Sequence, residues 1–576
     1  PAPLYYQWQK DTILIPGAAA NRYDLASLVP SDAGEYRCVV SNAYGTVTSA
    51  VATLTVQGGV HYVRPDNPTP ELPYDTWATA ATNIQNAADA ALPGSLVLVT
   101  NGVYATGGRK APWMSLTNRL IITNTIRIRS VNGPTVTFIQ GAKDSLTTNG
   151  NAAVRCVWMT DGASLTGFTL TNGATRANSF DADSYGGGIW CLSTNAFVSN
   201  CVFSGNSAYN GGGAYGGTLE YCTLTGNWAQ AFGGGAYTGR LNNCTLVANS
   251  ASLGGGVYYS TLEYCALTGN SAKTNGGGAF GGTLSNCTLT GNSAYYYGGG
   301  AYTGRLYNCT LTSNSAYYGG GASYGALYNC ALTSNSVSGS SSGGGGSYYA
   351  ALYNCTLVRN SAYYYGGGSY YGTLSNCTLT GNSAYYGGGA CYGTLTNCIL
   401  TSNSAGSYGG GACYGTLYNC ALSGNSASSS GGGACDSTLN NCTLTGNSAT
   451  NSGGGSSGGT LNNCIVYHNM APGGTNYNGG TFNYSCATPL PTSGTNNIAE
   501  NPLLLNYSHI ASNSPCVGAG RTNYSRGVDI DGEPWRVPPA MGCDEPRRPA
   551  PGTLAVAISA SATNVVLNYP VRFKGD

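Results

Sequence analysis

The sequence predicts an all-β chain wound as a parallel β-helix of about 22 residues per coil, with partial sandwich elements at its two ends. Three observations carry this. A cysteine recurs at a near-constant interval through the middle of the chain, short runs between the cysteines alternate apolar and polar residues, and Gly, Asn and Ser interrupt those runs at fixed places.

The interval comes first, because a fixed period decides the architecture. Cys201, Cys222, Cys244, Cys265, Cys287, Cys309, Cys330, Cys355, Cys377, Cys398, Cys420, Cys442, Cys464 and Cys486 follow one another at 21 or 22 residues, except for one interval of 25 where SGSSSGGGG precedes Cys355. Helix-pair repeats need about 33 residues or more. Each glycine of the recurring triplets would also cost a helix about 1 kcal/mol. Short strands fit instead. In Cys377-Thr378-Leu379-Thr380, Cys and Leu share one face and the threonines the other. Three strands and three turns per coil are expected, with coils about 4.8 Å apart and glycines and Gly-Asn-Ser segments at the corners.

Stacking coils places like on like. Leu379 and Leu400 start an internal column, and Asn382, Asn403 and Asn425 a turn ladder whose amides bond to the coils above and below. Cys287, Cys309, Cys377, Cys398 and Cys420 belong to a column read as buried free thiols, small hydrophobes in effect. Parallel stacking keeps their Cβ atoms about 4.8 Å apart, beyond the usual disulfide span of about 3.5–4.5 Å. Cys516 and Cys543 form a candidate disulfide outside the column.

Composition narrows function. Only 8% of residues are charged, about a third of the usual share. The net charge of +1 and the lack of a basic run exclude a nucleic-acid partner. No stretch reaches the roughly 18 apolar residues of a membrane span, and no cofactor motif is present. Between residues 201 and 470 the acids are Glu220, Glu263 and Asp436. Glu220 and Glu263 would lie two coils apart, at the outer edge of the roughly 6.5–9.5 Å that inverting glycosidases use. Arg240 on the coil between them points to a surface ion pair. A chain that is not an enzyme is therefore expected. Asp181 with Asp183, and Asp529 with Asp531, are candidate calcium ligands that read first as ordinary acidic turns. The tyrosine runs make Tyr296, Tyr317, Tyr364 and Tyr385 a candidate binding surface, for sugar rings or a second fibre.

Several segments resemble known families. Trp8 in YYQWQK and the run Asp32-Ala33-Gly34-Glu35-Tyr36-Arg37-Cys38 resemble the core tryptophan, tyrosine corner and strand-F cysteine of an immunoglobulin-like domain. PYDTWATAATNIQNAADAA, LVLVTNGVYATGG and SLTGFTLTNG resemble the opening of secreted bacterial right-handed β-helices of the pectate-lyase-like superfamily. The GGGA…NC-x-L-x-GN units are similar to repeats of polymorphic outer-membrane proteins and adhesin passenger domains. The division expected is a partial immunoglobulin-like domain at 1–57, a cap and irregular coils at 58–185, regular repeats at 186–487, the end of the helix at 488–549 and a further sandwich or donor strand at 550–576. Ile84, Ala87, Ala88 and Ala91 are expected to form the apolar stripe of a capping helix.

These resemblances imply a secreted or surface-displayed protein of a Gram-negative-type bacterium with a structural or adhesive role. Self-association into fibres is expected, the tail Leu554–Phe573 of one copy completing the sandwich of the next. The alternative they imply is a β-helix that binds or processes carbohydrate, with a glycan or cell-surface ligand as partner.

Overall fold

The computed structural model describes residues 3–25, 32–54, 58–177, 181–546, 558–560 and 573–575. It is a right-handed parallel β-helix preceded by a small antiparallel sheet. One long sheet gathers 19 strands, from Val60–Val63 to Gly494–Thr495. Two more run beside it, from Gly102–Tyr104 to Cys486–Ala487 and from Thr117–Ile122 to Tyr477–Asn478. The helix Ile84–Ala90 caps the first coils, burying Ile84, Ala87 and Ala88, with Asn83 accepting the Asn86 amide as its N-cap.

Pairing is in register from coil to coil. Leu379 pairs with Leu400 and Leu400 with Leu422, and all three are fully buried. The coil differs from expectation in one respect: it has four strand segments rather than three. In one turn these are Ala390–Cys391, Thr394–Thr396, Ile399–Thr401 and Ser404–Tyr408. The Ser-Ala step after each buried Asn is extended and joins a fourth sheet of 12 strands. Single residues in the left-handed region make the corners: Gly387, Tyr392, Asn397 and Ser402 have φ of 63°, 54°, 52° and 54°. The next glycine is fixed by space instead, since a Cβ at Gly388 would lie 2.2 Å from the Ser404 carbonyl oxygen.

The asparagine ladder runs unbroken from Asn206 to Asn469. Asn403 is representative. Its Nδ2 donates to Asn425 Oδ1 and to the Leu379 carbonyl, both at 2.9 Å, and its Oδ1 accepts from the Asn382 backbone N–H at 3.0 Å. Each fully buried amide is thus bonded to the coils on both sides, the condition on which a buried polar group is tolerated.

All 22 cysteines are buried free thiols. Burial pushes the Cys201 thiol up to about 12. The candidate Cys516–Cys543 disulfide is not formed: Cys543 Sγ donates to the Ser508 carbonyl at 3.4 Å, and Cys516 lies beside Cys486.

The N-terminal sheet pairs Tyr5–Lys10 with Gly34–Asn42 and places Trp8 opposite Cys38. Tyr36 Oη donates to the Asp32 carbonyl at 2.7 Å, and Trp8 Nε1 to the Ala20 carbonyl at 3.0 Å. The first of these is the bond that a tyrosine corner makes. Of the proposed donor tail, Ile558–Ala560 and Phe573–Gly575 pair antiparallel with each other; the rest of it lies outside the described residues.

The ladder makes a sharp expectation for stability. Asn403→Ala strands the Asn382 N–H and the Leu379 carbonyl in a dry interior and should cost about 2–5 kcal/mol. Thr394→Ala, an exposed change on the same coil, should stay within about 0.5 kcal/mol. Urea unfolding of the two variants beside the parent chain measures both.

Candidate functional site: the cleft under the C-terminal strap

After the last coils the chain folds back along the side of the helix. Arg521 meets the Asn463 coil, with its carbonyl accepting from Asn463 Nδ2 at 2.9 Å. Further on, Asn419 Nδ2 donates to the carbonyls of Arg526 at 3.0 Å and Val528 at 2.7 Å. The Arg526 guanidinium lies 5.0 Å from the Tyr418 ring centroid, a cation–π distance. The strap then returns, and the Cys543 N–H donates to Thr443 Oγ1 at 3.1 Å. Asparagines at coil corners, unremarkable in the sequence and buried beneath the strap, are therefore what dock it.

Two hollows adjoin it and share Asp531, one between strap and repeats and one within the segment 505–546. One, of about 410 Å³, is lined by Asn376, Thr378, Asn397 and Ile399 of the repeats and by Ile530 and Asp531 of the strap. The other, of about 340 Å³, holds His509, Asp531, Glu533 and Asp544. Asp531 belongs to both. Their sizes fall in the range of small-molecule sites.

Three side chains converge where the hollows meet. His509, Asp531 and Asp544 each offer an atom within 4.8 Å of the other two, the one such convergence of three His, Cys, Asp or Glu side chains among the described residues. His509 Nε2 lies 2.6 Å from Asp531 Oδ2. A carboxylate only accepts, so Nε2 carries the proton. Nδ1 lies 2.8 Å from Ser508 Oγ and 3.0 Å from Asn506 Oδ1, which serve the neutral and the charged imidazole respectively. Asp544 is buried and accepts the Ile510 N–H at 3.0 Å. Burial, reinforced by Asp529 and Asp531, holds its carboxyl above the usual range. The result is a carboxyl raised by its burial beside a carboxylate bonded to an imidazole.

The sequence-derived candidates fall out as follows. Asp529 and Asp531 do not act together. Asp529 is fully buried and accepts the backbone N–H groups of Asp531, Glu533 and Glu545 at 3.0, 2.7 and 3.0 Å, which makes it the staple of its turn, whereas Asp531 faces the cleft. Asp183 likewise accepts from the Ser115 and Leu116 amides. The expected Glu220–Arg240–Glu263 arrangement does not form. Asn242 occupies the row between the two glutamates and Arg240 pairs with Thr218 and Thr261, two positions away.

The tyrosines divide into two kinds. Tyr364 and Tyr385 stack at 5.5 Å, Tyr317 packs edge-on against Tyr318 at 4.8 Å, and Tyr296 edge-on against Tyr295 at 4.6 Å. A more regular column escaped the sequence reading: Tyr324, Tyr349, Tyr371, Tyr392 and Tyr414, stacked at 5.5, 4.6, 5.1 and 5.0 Å. Its signal was the tyrosine recurring just before the Gly or Ala that leads into each -Leu- strand. Because these rings cover one another's faces, the column presents edges and hydroxyls to solvent.

No protein-family model and no curated protein matches the chain. Solved structures do, at low similarity. A Yersinia enterocolitica family 28 exopolygalacturonase shares 11% identity over 72% of this chain and 90% of its own, with a TM-score of 0.19. For the pectate lyase Pel9A the values are 11%, 85%, 97% and 0.18. For a tailspike protein of an E. coli bacteriophage, in complex with pentasaccharide, they are 11%, 76%, 78% and 0.23. Similarity at this level assigns no activity. It does correct the expectation of a non-enzyme, because the structures that match are mostly enzymes. That expectation weighed catalysis on the acids of the repeats and read Asp529 and Asp531 as turn or calcium carboxylates, whereas the fold gathers His509, Asp531 and Asp544 in one place.

The raised carboxyl gives the strap a pH signature. A carboxyl whose pKa is raised on folding takes up a proton, so its contribution is full below the usual carboxylate range and is lost as pH rises through the raised value. Relative to Asp544→Asn, which mimics the protonated form, the parent chain should lose thermal stability as pH rises above the usual carboxylate range. Unfolding midpoints measured from that range upward give the sign directly.

Proposed function

We propose that this chain binds a polysaccharide in the strap cleft and acts on it there. The observation that carries the reading is the junction of the two hollows. Asn376, Asn397 and Thr378 offer donors and acceptors to a polyhydroxylated ligand on one side. Asp544 and the His509-held Asp531 stand on the other. Hydrolysis of a glycosidic bond requires one protonated and one ionised carboxyl flanking it, about 5–5.5 Å apart in the retaining case. Asp531 and Asp544 bring an oxygen each within 4.8 Å of the other and of a His509 nitrogen, and their surroundings differ, which supports Asp544 as acid and Asp531 as base or nucleophile. The matches to glycan-acting and glycan-bound structures are in keeping with this reading and add no geometry to it.

The adhesive-fibre reading comes second. Its key element, the donor tail, lies mostly outside the described residues, and no observation favours it.

The test is a panel of neutral and acidic polysaccharides, polygalacturonate and alginate included, assayed for new reducing ends and for unsaturated products. Cleavage of at least one is expected. Asp531→Asn and Asp544→Asn should each slow it by about a hundredfold or more, the usual scale of acid–base assistance. Variants as fast as the parent, or no cleavage across the panel, would refute the assignment.

A further inference from the structure

The fourth sheet carries a feature independent of the cleft. Tyrosines cover its outer side in short runs, Tyr295 and Tyr317 on two neighbouring coils and Tyr363 and Tyr385 on two others, and the second run stops at Gly406. Along the aligned Ser-Ala steps Ser361–Ala362, Ser383–Ala384, Ser404–Ala405 and Ser426–Ala427, the residue that follows is Tyr363, Tyr385, Gly406 and Ser428. Tyr385 is stacked on Tyr364 at 5.5 Å and 20°, and Tyr386 stands edge-on to it at 4.6 Å. On the next coil the place of a further ring is taken by Gly406. A Cβ there would lie 3.3 Å from Tyr385 Cδ2, so a side chain at 406 would continue the stack. Glycine leaves that side of the ring bare.

The gap is a built surface feature. A shallow groove of about 470 Å³ runs here between Tyr363 and Ser428, with Ser383, Ser404 and Ser426 along its floor. Tyr363 and Tyr385 are 62% and 44% exposed. The buried column Ala384, Ala405 and Ala427 keeps the floor flat and rigid beneath them. A bare aromatic face beside a shelf of hydroxyls complements a sugar ring, whose axial C–H groups pack on the π-face while its hydroxyls meet serine Oγ atoms. The inner rings of the ladder, such as Tyr371 between Tyr349 and Tyr392, lack this property because neighbours cover both faces.

We infer that the Tyr385–Gly406 notch is a saccharide-binding subsite, separate from the strap cleft, that holds one pyranose ring of a polysaccharide by stacking. It does not involve Asp531, so it stands or falls independently of the catalytic reading.

Affinity electrophoresis of the full chain through gels containing hydroxyethyl cellulose, mixed-linkage β-glucan, xyloglucan, galactomannan or polygalacturonate tests it. The work is best done in the Asp531→Asn background, which separates binding here from turnover in the cleft. At least one polysaccharide should retard the chain. Tyr385→Ala should weaken that binding at least fivefold. Gly406→Leu, which leaves Tyr385 in place but covers its face, should do the same, whereas Tyr371→Ala, at a ring stacked on both sides, should not. Migration unaffected by every polysaccharide, or retardation insensitive to both notch variants, would overturn the inference. So would an equal loss in Tyr371→Ala.

Discussion

The structure depends on one repeated interaction: the buried asparagine amide that bonds to its own kind on the next coil. A coil of about 22 residues buries too little apolar surface to offset the entropy of ordering it. It persists because every backbone and side-chain polar group at the dangerous corner is matched by the neighbouring coils. The ladder from Asn206 to Asn469 also fixes register. Shifting one coil by a residue would leave an amide such as Asn403 without Asn425 Oδ1 and the Leu379 carbonyl together. In-register leucine, cysteine and tyrosine columns follow from that constraint.

Register is what converts a neutral repeat into a platform with chemistry. The corners that follow the strands of the 19-stranded sheet present a second, outer row of asparagines, of which Asn419, Asn441 and Asn463 bind the returning strap. The repeats contribute mainly regular amides and hydroxyls, and the strap brings His509, Asp531 and Asp544 together. Burial there raises the Asp544 carboxyl.

How much of this was legible in the sequence depends on locality. The coil, the Leu379–Leu400 column, the Asn382–Asn403–Asn425 ladder and the free thiols are consequences of a period, and a period is readable without coordinates. The fourth sheet was missed because a two-residue step such as Ser404–Ala405 has no pattern of its own. The tyrosine column at Tyr324 was hidden among neighbouring tyrosines of the other corner. Docking of Asp531 over Asn397 joins residues more than 130 positions apart, across segments with no shared period, so no spacing could reveal it. The Glu220–Arg240 pair failed for a simpler reason. Sharing a coil face is not sharing a row, and two residues of offset separate the side chains.

The central claim is that a polysaccharide occupies the space between the strap and the repeats. Hydrogen-exchange mass spectrometry of the full chain, with and without the polysaccharide it responds to, measures this most directly. Slowed exchange is expected in the segments 505–512 and 526–545 and in the coil corners 376–378 and 397–399. Unchanged exchange in all of these segments at saturating polysaccharide would contradict the account.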